Sequence, residues 1–181
     1  MHLPPFRTAA LAVLLLLPGC FTSDTDLIAA VDADYPVADG ARFALHRLDD
    51  DGNRAGDAPD TVTVTRDGDW YLMTTGADGK PFRGRMDEIA PGLHAVMARE
   101  ADVAGPGGLY VLLERAGADW KRWSMICPDF VALAEARGVA LTEFGVTVAN
   151  SDCMVTDFAS LKKALMFAHA FGKPDAVYVA E

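Results

Sequence analysis

Seven short segments with strand character follow one another between Arg42 and Ile126, and this run constrains the fold more than any other feature. Polar or glycine-containing turns separate the segments every 8 to 15 residues. Such short connections favour antiparallel pairing, because parallel strands need crossovers of a dozen or more residues. The pattern predicts an antiparallel meander of six or seven strands that forms a curved sheet, closes as a barrel or folds into two sheets.

The dipeptide Asp67-Gly68 is the clearest turn signal in this run, since Asp-Gly favours a two-residue type I′ loop between paired strands. Such a loop would place Val64 opposite Tyr71. Side chains alternate between the two faces of a strand, so every second residue shares a face. The predicted register therefore gives one buried face, formed by Val62, Val64, Tyr71 and Met73.

Beyond Cys127 the apolar residues recur at intervals of three and four, which is typical of amphipathic helices. Pro128 fits the first turn of a short helix, and Thr156 or Asp157 can cap a longer one. The last apolar stretch, 176–179, is either a final strand or a frayed tail. The meander and the two C-terminal helices together predict an α+β fold.

The N-terminus carries a nine-residue apolar run, Ala9 to Leu17, behind a short basic region. A helix that crosses a bilayer needs about 20 residues, so this run is typical of the core of a signal peptide. Its end, Leu17-Pro18-Gly19-Cys20, resembles the lipobox of bacterial lipoproteins, and the whole chain resembles lipoproteins of Gram-negative cell envelopes. An ordinary secretory signal with an incidental cysteine, or an uncleaved anchor, is the alternative.

The resemblance implies that the signal is removed before Cys20. It also implies that the Cys20 thiol receives a diacylglyceryl group and the new amine an acyl group such as palmitate. Phe21 follows the cysteine, where Asp would imply retention in the inner membrane. The implied location is therefore the outer membrane, with the domain facing the periplasm.

Charge argues against two other kinds of partner. The chain has 16 Lys+Arg and 26 Asp+Glu, a net charge of −10, and no basic cluster. Nucleic-acid phosphates need several Lys or Arg on one face, and anionic lipid headgroups attract basic segments. We therefore expect no nucleic-acid partner, and membrane binding would depend on N-terminal acyl chains, because several chains anchor a protein stably.

Setting Cys20 aside leaves an even pair, Cys127 and Cys153, in an oxidising compartment. We expect these two to form a disulfide that ties the helices to the end of the meander. A thiolate metal site or a reactive thiol is the alternative. Neither is supported, because the sequence has no CxxC spacing and no His within a few residues of either cysteine.

The length of the chain suits a single domain. Residues 1–19 are expected to form the lipoprotein signal peptide, and 20–40 a lipidated tether and the approach to the fold. The globular domain would span 41–181. Within it, we expect the meander over 41–126 and a helical cap over 127–181.

Patterns that would carry metal or catalytic chemistry are weak. The acidic run from Asp49 invites comparison with a calcium loop, but Arg54 stands where glycine is needed and Asp60 where a bidentate Glu is needed. No HExxH or GxSxG spacing is present. We therefore expect no metal, no cofactor and no catalytic residue, and we expect surface or core positions for the scattered histidines His46, His94 and His169.

Three tryptophans, Trp70, Trp120 and Trp123, are the candidates for a partner-binding surface. Trp120 and Trp123 are three residues apart and would lie on opposite faces of one strand, so at least one is expected to face outward. Core packing is the alternative, since large aromatic side chains mostly pack. An outward aromatic patch would suit an envelope protein or a glycan.

Together these patterns predict a lipid-anchored envelope protein that acts without catalysis, as a partner-binding or structural module. The alternative is a small envelope hydrolase whose site forms only in three dimensions. Outward apolar side chains without converging polar groups would favour the binding module. A deep pocket that unites a His with Ser, Asp or Glu would favour the hydrolase.

Overall fold

The computed structural model describes residues 19–76 and 79–181, so the predicted signal peptide, 1–19, lies outside the described residues except for Gly19. The described residues form eleven strands, two α-helices and one short 3₁₀ helix. In chain order the elements are β1 (Phe21–Ser23), β2 (Ala41–Arg47), β3 (Asp60–Asp67), β4 (Trp70–Thr75), β5 (Phe82–Ala90), β6 (Leu93–Glu100), β7 (Gly108–Ala116), β8 (Asp119–Ser124), α1 (Cys127–Ala136), the 3₁₀ helix (Leu141–Phe144), β9 (Thr147–Ala149), β10 (Asp152–Met154), α2 (Phe158–Phe171) and β11 (Ala176–Ala180).

Eight of these strands close into an antiparallel barrel. Strands β2 to β8 pair one after another, as their short turns predict, and β11 pairs with both β2 and β8 to complete the ring. The antiparallel meander and the two helices are confirmed, but the predicted count of six or seven strands is wrong. The count omits the short strands β1, β9 and β10, and it omits β11, which the sequence left open between a final strand and a frayed tail because its partners lie far away along the chain.

The β3–β4 hairpin turns one residue later than predicted. Its loop residues are Gly68 and Asp69, so Val64 lies opposite Met73. Gly68 has a φ of 58° and Asp69 has no positive φ, as in a type II′ turn, which needs glycine only at its first loop position. A type I′ loop at the predicted position would force Asp67 into the left-handed region. The pairing shifts by two residues, so the same face remains inward.

The barrel wall separates two apolar clusters. Outward side chains of β6 to β8, among them Met97, Leu112 and Trp123, pack beneath the helices. The inward cluster comprises Phe43, Val62, Val64, Tyr71, Met86, Val96 and Trp120. Helix α2 therefore covers the outside of the barrel and leaves the interior to the strands.

Helix α2 shows how sequence periodicity produces this cover. Asp157 caps its first turn by accepting the Ser160 N–H at 2.8 Å, which satisfies a backbone donor that has no partner within the helix. One stripe of the helix is buried, at intervals of three and four: Leu161, Ala164, Leu165 and Ala168.

Cys127 and Cys153 form the predicted disulfide, with their Cα atoms 5.2 Å apart and both side chains buried. The bridge joins the first residue of α1 to β10. Strand β10 pairs with β1, which in turn pairs with β7 of the barrel. The disulfide therefore ties the helical part to a small side sheet on the barrel wall.

The residues after Cys20 are fixed to the barrel, whereas their polar composition suggests a free tether. Phe21 is fully buried, and its ring contacts that of Phe130 at a centroid distance of 4.9 Å. The Asp26 carboxylate accepts a hydrogen bond from Arg99 Nη1 at 3.0 Å. One buried aromatic ring and the ion pairs of Asp26 with Arg99 and Arg85 thus hold a segment that composition alone would leave mobile.

Replacing both bridging cysteines with alanine is expected to lower the free energy of unfolding by about 3 to 4 kcal/mol, because a cross-link over 26 residues restricts the unfolded chain. Urea titration followed by circular dichroism measures the difference. Comparing the variant with the wild type under reducing conditions separates lost packing from the lost cross-link. Equal stability of the variant and the oxidised wild type would contradict the prediction.

Candidate functional site

The interior of the barrel contains a cavity of about 310 Å³. Two small residues, Gly84 and Ala98, are part of its wall, and the Met73 side chain packs against Gly84. All eight barrel strands and the segment before β2 contribute to its lining, which consists of Val37, Phe43, Leu45, Val62, Val64, Tyr71, Met73, Thr75, Phe82, Gly84, Met86, Val96, Ala98, Leu109, Val111, Leu113, Trp120, Arg122 and Tyr178.

One end of the cavity is closed by the segment that leads into β2. The Tyr71 hydroxyl donates to the Val37 carbonyl at 3.0 Å and accepts the Val37 N–H at 2.9 Å. The Tyr35 ring packs edge-on against Tyr71, with centroids 5.5 Å apart, and its hydroxyl donates to the Asp69 carbonyl. Burial raises the pKa of Tyr71, so its hydroxyl stays protonated and keeps both bonds.

The other end of the cavity is open. Thr75, Phe82 and Leu109 lie at the strand ends that meet there, and their side chains remain partly exposed. Strand β8 ends and β11 begins at the same end of the barrel, where Arg122 pairs with Ala176. The cavity is therefore a blind apolar pocket with one mouth.

Arg122 is the one charged residue among the described residues that line the cavity. Its Nη2 donates to Asp175 Oδ2 at 2.6 Å, and its Nε donates to the same carboxylate at 3.2 Å. Its Nη1 lies 3.4 Å from the Tyr178 hydroxyl. Burial disfavours the charged form, but Tyr178 and the hydrogen bonds and charge of Asp175 outweigh it and raise the pKa of Arg122, so the guanidinium stays charged.

Asp175 is itself held in place by β8. Its carboxylate accepts the Ser124 N–H at 2.7 Å and the Ser124 hydroxyl at 2.9 Å, in addition to the guanidinium of Arg122. The side chain of Arg122 is only 24% exposed, so the pair is partly shielded from solvent. A cation in a fixed orientation therefore stands at the rim of an apolar pocket.

His94 is the second polar group of interest in the barrel wall. It is 4% exposed, and its ring lies edge-on to Trp120, with centroids 5.3 Å apart. Its Nδ1 has no hydrogen-bond partner among the described residues. Burial lowers the pKa of His94 more than the nearby Glu88 and Asp34 raise it, so the imidazole is neutral near pH 7.

The three tryptophans do not share one exposed surface. Trp120 faces the cavity and is 5% exposed, whereas Trp123 faces the helices and is 7% exposed. Trp70 is partly buried on the outer wall, where the guanidinium groups of Arg85 and Arg99 stack on its ring at 3.8 and 4.5 Å. The two residues of β8 do occupy opposite faces of the strand, but both faces are covered.

The remaining polar candidates stay apart or serve the local fold. His46 lies on β2, His94 in the barrel wall and His169 on α2. Within residues 19–76 and 79–181, no group of three or more His, Cys, Asp or Glu is arranged to hold a metal ion. Asp49 accepts the N–H groups of Asp51 and Asn53, so this acidic run forms a turn.

Cys20 directly precedes β1, lies between Ile126 and Cys153, and is partly buried. Its N–H donates to Asp152 Oδ1 at 2.9 Å, and its carbonyl accepts the Cys153 N–H at 3.0 Å. Burial and then the Asp152 carboxylate raise the pKa of its thiol. It is two residues from Thr22, which pairs with Leu109 at the open end of the barrel.

Sequence reasoning missed the polar group at the mouth. Arg122 and Asp175 belong to no predicted site, and Tyr178 lies in the stretch 176–179, which the sequence predicts to be either a final strand or a frayed tail. One signal was present: Arg122 is two residues from Trp120, so it shares the inward face of β8. A charge on an inward position is unusual enough to mark a site.

The fold and the site together define a closed eight-stranded antiparallel barrel with a blind apolar pocket and one cation at its mouth. No protein-family model, curated protein or solved structure matches the chain. In the part of the chain that the structure describes, none of the helices has the length and apolar character needed to span a bilayer.

The burial of His94 predicts a specific dependence of stability on pH. Its pKa is lowered in the folded state, so the unfolded chain binds the proton first as pH falls below about 6.5. The free energy of unfolding should therefore fall between pH 7.5 and 5.5. His94→Phe should reduce that fall, as measured by urea titration at several pH values. An unchanged pH profile for His94→Phe would disprove this assignment.

Proposed function

We propose that this protein is a non-catalytic binding protein that holds one small apolar molecule in its barrel, on a membrane of the cell envelope. The observation that carries the proposal is the apolar cavity of about 310 Å³, which is near the lower end of the ~300–1,000 Å³ range of ligand pockets. Ligand pockets of this kind are mostly apolar, with a few well-placed polar groups.

The size of the cavity argues against a simple packing defect. Protein interiors are close-packed, and the few voids they contain are rarely larger than a water molecule. A barrel of eight strands is narrow enough for side chains to fill, or to hold one small ligand. Here the inward side chains of the eight strands leave a volume of about 310 Å³ unfilled.

The burial of the tryptophans favours binding of a molecule inside the cavity over binding of a partner to the outer surface of the barrel. Trp120 and Trp123 are buried, so they offer little surface to a protein or glycan. An apolar molecule that enters the cavity would instead contact Trp120 directly, together with Phe43 and Tyr71. Burial of its surface supplies roughly 25 cal/mol per Å².

The proposed membrane attachment rests on the lipobox resemblance at Cys20, with the periplasmic side of the outer membrane as the proposed location. Cys20 lies near the Thr22–Leu109 pair, and Leu109 lines the open end of the cavity. This position supports a functional link between membrane attachment at Cys20 and ligand entry at the mouth. Phe21 is buried, which leaves no long tether between Cys20 and the barrel. Acyl chains at Cys20 would therefore keep the barrel close to the bilayer, where apolar ligands partition.

Filling the cavity should weaken binding. Val62→Trp introduces a large side chain at an inward position, and we expect it to weaken binding of the neutral fluorophore N-phenyl-1-naphthylamine at least 10-fold. Thr63→Trp on the same strand points outward and serves as the matched control. Fluorescence titration measures both. Equal affinity of the two variants would place the probe outside the barrel and contradict the proposal.

Cys20→Ala should release the protein from membranes when the full chain is expressed in a Gram-negative bacterium. The expected result is transfer from the membrane pellet to the soluble fraction, together with loss of labelled palmitate. Thr25→Ala changes an exposed residue beyond the lipobox and should stay in the pellet. If Cys20→Ala remains membrane-bound, acylation of this residue is not the anchor. The released variant should still bind the fluorophore, which shows that its barrel is intact.

A further inference from the structure

We propose that Arg122 and Tyr178 form the polar end of the ligand site and select a single-chain amphiphile whose head is a carboxylate and whose apolar chain occupies the barrel. This inference rests on the proposed binding of an apolar molecule in the lumen. It adds the chemical class of the ligand and its orientation, with the head at the mouth and the chain directed inward.

The position of Arg122 is the first step. It faces inward on β8, in register with Leu113 on β7 and Ala176 on β11. A guanidinium on the wall of an apolar cavity is costly unless its donors are satisfied. The neighbouring position Lys121 faces outward and is exposed, so the strand places one cation in solvent and the other in the pocket wall.

The second step concerns which edge of the guanidinium is available. Asp175 engages Nε and Nη2, and Asp175 does not line the cavity. The Nη1 edge makes only a long contact of 3.4 Å with the Tyr178 hydroxyl, and Tyr178 does line the cavity. Arginine has five N–H donors, so the Nη1 edge retains hydrogen-bonding capacity next to the pocket.

The third step concerns the orientation of the Arg122 guanidinium. Ser124 gives Asp175 two further hydrogen bonds, from its N–H and its hydroxyl, so the carboxylate is satisfied by donors other than Arg122 as well. The guanidinium is thereby oriented before any ligand arrives. The carboxylate head accepts one hydrogen bond from Arg122 Nη1 and a second from the Tyr178 hydroxyl. The rest of the lining is apolar or weakly polar and suits a hydrocarbon chain.

The test compares three probes: laurate, its methyl ester and N-phenyl-1-naphthylamine. In the wild type, laurate should bind at least 10-fold more tightly than the ester. Arg122→Met should weaken the binding of laurate about 10- to 100-fold, the range expected for loss of a hydrogen bond to a charged group. It should change the affinity for each of the two neutral probes less than about 3-fold. Arg42→Met removes an exposed arginine paired with Glu181 and should change none of the three. Calorimetry and displacement of the fluorophore supply the affinities.

The outcomes distinguish failure of the carboxylate site from failure of the proposed apolar binding site in the lumen. If the neutral probes bind and Val62→Trp blocks them, but laurate is unaffected by Arg122→Met, the carboxylate site is wrong and the lumen site stands. If no probe binds in the lumen, both fail. If Arg122→Met does not fold, Tyr178→Phe replaces it as the test variant, because it keeps the aromatic ring. It should weaken the binding of laurate about 3- to 10-fold and leave the affinity for the methyl ester unchanged. Equal affinity of the wild type for laurate and its ester would also overturn the inference.

Discussion

The barrel depends on one seam, at which β11 joins β2 to β8. Asp175 secures this seam immediately before β11 begins: its carbonyl accepts the Leu48 N–H at 2.8 Å, and its N–H donates to the Arg122 carbonyl at 2.8 Å. Its carboxylate binds Ser124 and Arg122. Without β11, β2 and β8 would be open sheet edges with unpaired backbone groups, and no enclosed lumen would exist.

The helical part of the chain serves this seam. About 50 residues separate β8 from β11, and their ordering opposes closure through lost chain entropy. The Cys127–Cys153 disulfide cross-links about half of this connecting segment. Helix α2 packs Leu161 and Leu165 of its buried stripe against the apolar cluster on the outside of the barrel. The end of α2 then lies a few residues from β11. The helices and the disulfide thus position the chain so that β11 can pair with β2 and β8. They lie outside the barrel, so the interior stays open.

What local chemistry dictates was predictable, and what distant pairing dictates was not. Turn residues and alternation identify all seven strands from β2 to β8, and capping with period-three-and-four spacing identifies both helices. The hairpin loop was misplaced by one residue because Asp67-Gly68-Asp69 contains both an Asp-Gly pair, which favours type I′, and a Gly-Asp pair, which fits type II′. The role of β11, the covered position of Trp123 and the pairing of Arg122 with Asp175 depend on residues that meet only when the ring closes.

The same closure explains why a polar site can exist in an apolar pocket. Arg122 could not be held at the mouth by its own strand, because β8 offers it only Ser124 and apolar neighbours on the inward face. The incoming chain before β11 brings the carboxylate that orients it, and β11 itself brings Tyr178. Barrel closure and site formation are therefore one event, since the residues that complete the ring also complete the mouth. A chain in which β11 detached would lose the pocket and the oriented cation together, so binding competence should follow the stability of this seam more closely than that of the helices.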